Sequence, residues 1–442
     1  GLDGPSPRRA GELVRNHKEK PWAWFVLGVC LEHMGRLTGA MRAMRRASRL
    51  EPESTLVLAS LGGLYNTLNR PKEAVETLTR AKELAPDNAS IRCSLAVAHE
   101  LNGTIPLALE ELEDALGLEP DCGPALLNKG RLLHFLGETE AALDCYGELA
   151  DRLPEYHKGR SALLFTMHFS PRYTREDIRQ AHIAWGDSFG KALNDGPRLH
   201  WDGERPLRVG FVSGDFRNHA VHFCLAPLFK GRQQALEQGE EPGWLPFFYS
   251  DVGAPDHVSA WYRSVAHTWR PIAGMSDRAA AQQILADACD ILIDLTGHTG
   301  SPRLQVFGQR PAPVQATWLG YFDTTGAPCM DYLIADSTTI PEEDAYLYRE
   351  KVLRLDHTFA CFDPPAPSPK VGPPPCLQNG FPTLGSFNQI VKLNSRVMEL
   401  WSRIMERLPQ ARLVIQSRHF GHKRARQRVS SLFRAAGIEP GR

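Results

Sequence analysis

The chain has 442 residues, with 51 Lys plus Arg against 51 Asp plus Glu, which is long enough for about three domains and too evenly charged to attract nucleic acid or an anionic membrane through a global field. Its nine cysteines are scattered, odd in number and without a Cys-x-x-Cys spacing, a pattern that fits neither a disulfide framework nor a zinc knuckle and points to a reducing compartment. No charged-then-apolar leader opens the chain and no apolar run reaches the roughly 18 residues of a membrane helix, so a cytoplasmic protein with no nucleic-acid or membrane partner is expected.

Residues 1–20 are polar and basic (Arg8, Arg9, Arg15, Lys18, Lys20) and read as a tail or partial repeat. Pro52, Pro86, Pro120 and Pro154 then recur every 34 residues. In phase with them, one position reads Gly28, Gly62, Ala96 and Gly130, and another Ala40, Ala74, Ala108 and Ala142. Small residues at both places let two antiparallel helices approach closely. Leu27, Leu61 and Leu95, with Ala47, Ala81 and Ala115, fill the seam, and Gly35, Asn69, Gly103 and Gly137 mark the turns. This resembles the tetratricopeptide repeat. Four repeats over 21–154 predict a helical superhelix whose groove holds protein or peptide partners.

The period stops after Pro154, and 155–206 reads as a helical linker, with Thr174-Arg175-Glu176-Asp177 as a helix entry of the capping-box type. From residue 207 short apolar runs alternate with amphipathic stretches such as 222–236 and 276–288. The runs Leu207–Ser213, Leu245–Ser250, Asp290–Leu295, Val314–Leu319, Tyr332–Ala335 and Lys351–Leu355 predict buried strands of a parallel sheet covered on both faces, a first Rossmann-like domain over 207–363. A proline-rich linker over 364–382, predicted to be neither helix nor central strand, leads to the start of a second such domain over 383–442, with strands at Thr383–Phe387 and Ala411–Gln416, a helix at Ser395–Arg407 and a basic helix at 420–436. Only about 60 residues follow the linker, fewer than the ~100 of an independent doubly wound domain, so this second domain is expected to be incomplete.

Three turns can carry chemistry. The first strand ends in Ser213-Gly214-Asp215-Phe216-Arg217-Asn218-His219, where an open α/β sheet holds its ligands. His222 stands three residues on, but no third ligand at a sensible spacing joins the pair, so no metal is expected. Leu295-Thr296-Gly297-His298-Thr299-Gly300 can offer backbone N–H groups to an anion or sugar. The third turn closes Arg310-Pro311-Ala312-Pro313-Val314-Gln315-Ala316-Thr317-Trp318-Leu319-Gly320-Tyr321. No G-x-G-x-x-G or Walker motif is present.

With Ser386-Phe387-Asn388-Gln389-Ile390-Val391-Lys392, and in this order along the chain, these turns resemble the O-GlcNAc transferase family in its bacterial form, which joins tetratricopeptide repeats to a GT-B catalytic region. The resemblance runs from about residue 21 to the end. It implies an inverting enzyme that moves N-acetylglucosamine from UDP-GlcNAc to serine or threonine hydroxyls of proteins, without metal or other cofactor. It matches Lys392 to the lysine that stabilises the leaving UDP, and His219 to a histidine considered as the base or as a positioning group. His267 matches a second, supporting histidine, and Gln389, Gly320, Thr299 and Tyr321 fall at the nucleotide sugar. Phe322 stands where many relatives have proline and Val391 where some have tyrosine, which leaves a GDP-fucose or UDP-glucose donor, or a different acceptor, as alternatives. The family's later uridine and diphosphate contacts fall beyond Arg442, so weak UDP binding is expected of this chain, and a non-catalytic repeat scaffold is the remaining alternative.

Overall fold

The structure, a computed structural model, describes residues 7–188, 196–364, 368–439 and 441–442. The first six residues of the basic tail and Pro365 and Pro367 of the linker lie outside them. Two compact units result: Gly1–Gly159 with Leu384–Arg442, the repeat unit, and Arg160–Thr383, the sheet unit.

The repeat unit starts with a helix, α1 (Pro7–Asn16), where a polar tail or partial repeat is predicted. Four helix pairs follow: α2 (Pro21–His33) with α3 (Leu37–Leu50), α4 (Thr55–Thr67) with α5 (Pro71–Leu84), α6 (Ala89–Leu101) with α7 (Ile105–Leu118), and α8 (Gly123–Phe135) with α9 (Thr139–Arg152). The small residue at the common position of each first helix faces a large one on the second. A Cβ on Gly28 would lie 2.6 Å from Met44 Cγ, one on Gly62 2.4 Å from Leu78 Cγ, and one on Gly130 2.5 Å from Tyr146 Cε1. Met44, Leu78, Leu112 and Tyr146 share one phase of the repeat and are all buried, each contributing about 2 kcal/mol of hydrophobic burial. Ala40, Ala74, Ala108 and Ala142 have no exposed surface. Leu61 and Leu95 are buried as predicted, whereas Leu27, in the first repeat, is half-buried. Gly35, Asn69, Gly103 and Gly137 all adopt positive φ, from 53° to 78°, because each ends a helix in the left-handed conformation that reverses the chain.

Leu384–Arg442 completes this unit. Strand β8 (Thr383–Ser386) pairs with β9 (Arg412–Ile415), with α17 (Ser395–Arg407) between them and α18 (Lys423–Ala435) after. This segment packs on the turn between α8 and α9: the Phe135 and His419 rings are 4.3 Å apart, and Arg424 grips both carboxylate oxygens of Glu138.

The sheet unit takes up α10 (His157–Met167) and then α11 (Arg175–Ser188), whose entry is the predicted capping box: Asp177 N–H donates to Thr174 Oγ1 at 3.2 Å while Thr174 N–H donates to Asp177 Oδ2 at 2.8 Å. Seven parallel strands follow, β1 (Leu207–Ser213), β2 (Trp244–Ser250), β3 (Thr268–Pro271), β4 (Ile291–Asp294), β5 (Val314–Trp318), β6 (Tyr332–Asp336) and β7 (Lys351–Leu355), in the spatial order β3-β2-β1-β4-β5-β6-β7. The helices α12 (Ala220–Glu237), α13 (His257–Val265), α14 (Asp277–Asp287) and α15 (Leu304–Gly308) connect them. Phe211, Phe216, Phe229, Phe248 and Tyr262 form the core where α12 and α13 meet the sheet.

Three expectations change. Thr268–Pro271 is a strand at the sheet edge although the sequence there has no apolar run, because β2 supplies its hydrogen bonds. Lys351–Leu355 is the opposite edge rather than a buried strand, and Leu353 is 47% exposed. The proline-rich linker holds one short helix, α16 (Cys376–Asn379), which begins directly after Pro375; proline has no objection to the first turn of a helix.

Candidate active site

The strand order reverses direction between β1 and β4, and in a doubly wound sheet the crevice at the carboxyl ends of such a pair is where ligands sit. A cavity of about 250 Å3 opens there. Gly214, Asp215 and Arg217 come to it from the turn after β1, Asp251 from the turn after β2, and Thr296 and Ser301 from the turn after β4.

His219 closes the β1 turn as the N-cap of α12. Its Nδ1 has two claimants: Val221 N–H donates to it at 3.4 Å, and Asp215 Oδ1 lies 3.6 Å away. The two contacts demand opposite tautomers. Accepting from Val221 leaves the proton on Nε2, whereas donating to Asp215 leaves Nε2 free to take a proton from a ligand. Asp215 is itself held, its side chain 14% exposed, with Arg217 Nη2 at 3.5 Å.

The turn after β4 is pinned by Asp294, which is fully buried and accepts from Gly297 N–H at 2.8 Å, Thr296 N–H at 3.2 Å and Thr317 Oγ1 at 2.9 Å. Burial pushes its carboxyl up to about 6 despite those bonds. Thr299 spends its hydroxyl on Thr296 O at 2.6 Å. At the end of β5, Leu319 adopts φ 71° and Gly320 N–H returns to Trp318 O at 2.8 Å, a tight three-residue turn held in a region that costs a leucine about 1–2 kcal/mol. Gly320 is forced by contact: a Cβ there would lie 1.9 Å from Leu295 O.

Tyr321 points the other way from the expected sugar contact. Its hydroxyl is in the interior, within a chain of neutral side chains. His182 Nδ1–H donates to Ile178 O at 2.7 Å, so its Nε2 accepts from the Tyr321 hydroxyl at 2.6 Å. The tyrosine oxygen in turn accepts from His168 Nε2–H at 2.9 Å, with Asp323 Oδ2 3.5 Å from the same nitrogen. His298 sits against His182, donating from Nε2 to Thr325 O at 2.9 Å and accepting at Nδ1 from Ser161. Burial lowers all three imidazoles, His182 to about 3.

The pH dependence follows. Unfolded His182 takes up a proton near pH 6.5 while the folded form refuses it until about 3, so stability is lost as pH falls through that window. At pH 5 the loss from this one group is about 2 kcal/mol. Asp294 acts in the opposite sense, since its folded carboxyl binds a proton first below about 6. Burial raises Glu350 and Asp323 as well, and they oppose too. Comparing melting of the parent with His182→Gln isolates the histidine: the parent's advantage at pH 7 should shrink by about 2 kcal/mol at pH 5. A constant gap would show that the fold leaves the proton affinity of His182 as it is in the unfolded chain.

His267 is not brought to this crevice. It precedes β3 and its N–H bonds Pro246 O at 2.9 Å, a register four residues before the carboxyl ends of the strands, or about 13 Å away. Its ring rests on Phe247. His222 is taken by the Tyr262 hydroxyl at 3.2 Å. Gln389 and Lys392 belong to the repeat unit. Gln389 precedes and Lys392 ends a 3-10 turn over Ile390–Lys392 after β8, with Ile390, Val391 and Leu393 buried and Gln389 and Lys392 exposed. Asp215, Asp251 and Ser301 carry no signature that the sequence alone would reveal; they are recognisable only once the three strand ends are neighbours.

Residues 152–365 match the family model "Glycosyl transferase family 41", and residues 34–89 and 60–121 match a tetratricopeptide repeat model. The chain is 33% identical over 298 residues to the probable UDP-N-acetylglucosamine–peptide N-acetylglucosaminyltransferase SPINDLY of Solanum lycopersicum, covering 65% of this chain and 31% of that protein. It is 30% identical over 219 residues to the UDP-N-acetylglucosamine–peptide N-acetylglucosaminyltransferase of Caenorhabditis elegans, covering 47% and 18%. The chain thus spans under a third of the length of these curated relatives. A solved structure of a mutant O-GlcNAc transferase from Thermobaculum terrenum is similar with a TM-score of 0.79 and 28% identity, over 87% of this chain and 72% of that one. Residues 152–365 are thus a glycosyl transferase family 41 region, with tetratricopeptide repeats ahead of it.

Proposed function

We propose that the chain is an inverting glycosyltransferase that moves N-acetylglucosamine from UDP-GlcNAc to serine or threonine hydroxyls of proteins held by the repeats. The observation that carries this reading is the position of His219, an imidazole that closes the turn after the first strand of a family 41 sheet, with the carboxylate of the crevice-lining Asp215 3.6 Å from its Nδ1. In the proposed step the acceptor oxygen attacks the anomeric carbon from the face opposite the diphosphate. The bond from that carbon to the diphosphate oxygen breaks, and UDP leaves with the electron pair. His219 Nε2 takes the acceptor proton while Asp215 holds the Nδ1–H tautomer and steadies the imidazolium. Lys392 is assigned to the charge that develops on the leaving diphosphate.

The whole chain, incubated separately with UDP-GlcNAc, UDP-glucose and GDP-fucose and with protein acceptors, is expected to add one N-acetylhexosamine to serine or threonine from the first donor alone, as read by mass spectrometry of the acceptor. Consumption of another donor in its place would reassign the sugar, and consumption of none would end the reading. Asp215→Asn is expected to lower kcat about tenfold or more with little change in KM, since a positioned base contributes about 10²–10⁴-fold in all. An unchanged kcat would remove Asp215 from the mechanism.

A further inference from the structure

We propose that the groove between the start of α7 and the start of α18 is a docking site for an acidic peptide segment carrying one aliphatic side chain. This deepens the reading of protein partners given above, and it is tested without a sugar donor, so that either can fail alone. Both walls lie in the repeat unit, and the groove encloses about 390 Å3, room for a side chain of leucine size with its flanking backbone. Ile105, Pro106, Leu109 and Leu136 line it on the repeat side, and Lys423 and Arg424 on the other.

The cationic wall is unusual in two ways. Helix N-termini favour anions, yet α18 has Lys423 and Arg424 in its first turn, no acidic residue there and no side chain capping its N–H groups. Arg424 is neutralised by Glu138, whereas Lys423 has no ion-pair partner among the described residues. The acidic face of α7 does not compensate: Lys82 and Arg92 neutralise Glu111, Arg92 also reaches Asp114, and Lys129 holds Glu113, which leaves Glu110. Over residues 392–442 the chain carries twelve Lys and Arg against three Asp and Glu, although it is neutral as a whole. An apolar floor beside an unmatched cationic helix start is complementary to carboxylates flanking an aliphatic side chain, and long-range attraction favours the same ligand.

The test measures fluorescence anisotropy of a short fluorescein-labelled peptide with one leucine among aspartates, added to the whole chain. It is expected to bind about tenfold more tightly than the same peptide with lysines for aspartates, or with serine for leucine, and to weaken as salt is raised. Lys423→Glu, and independently Pro106→Glu at an exposed position in the first turn of α7, should each weaken it about tenfold while melting stays unchanged. Equal affinity for all three peptides, or indifference to both substitutions, overturns the proposal. So does sedimentation showing that Lys423→Glu dissolves a dimer, for then a second copy covers this face.

Discussion

Lys392→Ala is expected to cut turnover by about 10²–10³-fold, the cost of removing one preorganised charge-stabilising group from a transition state, while leaving the affinity for an acceptor peptide within about twofold. The separation follows from where the side chain sits. Val391 and Leu393 are buried and hold the turn, whereas Lys392 is exposed, and truncating such a residue shifts stability by less than about 0.5 kcal/mol. A fall in kcat would therefore report chemistry and not misfolding. An ammonium that acts only as the diphosphate takes on charge lowers kcat and kcat/KM together when removed. One that merely binds the donor would raise KM and spare kcat, and steady-state kinetics with the donor varied distinguishes these outcomes. Unchanged turnover would take the leaving-group role from Lys392.

Gly320→Ala is expected to have the largest effect on the fold of the site, about 3 kcal/mol or more of destabilisation. The added methyl would meet Leu295 O at 1.9 Å and Thr296 Cα at 3.1 Å. Those atoms are backbone and cannot rotate away as a side chain could. They belong to the turn that Asp294 pins through Gly297 and Thr317, so relief requires β5 and the turn after β4 to separate. Activity should fall with stability, and the loss should persist at temperatures well below the new melting point, because the crevice wall itself moves. Thermal melting within about 0.5 kcal/mol of the parent would mean that the turn is more pliable than its contacts imply. The neighbouring Leu319, at φ 71°, is a different case, since its strain is already present and the chain tolerates it.

The repeats were legible because their information is local and repeated. A small residue facing a large one sixteen positions on, and a left-handed turn at Gly35, Asn69, Gly103 and Gly137, recur four times within windows of 34 residues. The strands were nearly as legible where both faces are covered, as in Leu207–Ser213, and were misjudged at the edges, where Thr268–Pro271 needs only a neighbour's hydrogen bonds. Within the candidate site, His219 was legible from its place at a strand end. Tyr321 was found by motif, but its direction was not: its two histidine partners lie 139 and 153 residues away, and no local pattern encodes such a meeting. His267 shared the motif context and came to rest at the other end of the strands, because the register of β2 and β3 decides that and their sequences do not state it.

The sequence by itself therefore determined the repeat architecture, the alternation of strand and helix, and the family motifs, all of which depend on neighbours along the chain. Only the tertiary structure decided which strand ends meet. The crevice between β1 and β4 exists because parallel strands are ordered by crossover packing and not by adjacency in the chain, and that ordering alone sets Asp215, Asp251 and Ser301 around one cavity and turns the Tyr321 hydroxyl away from it.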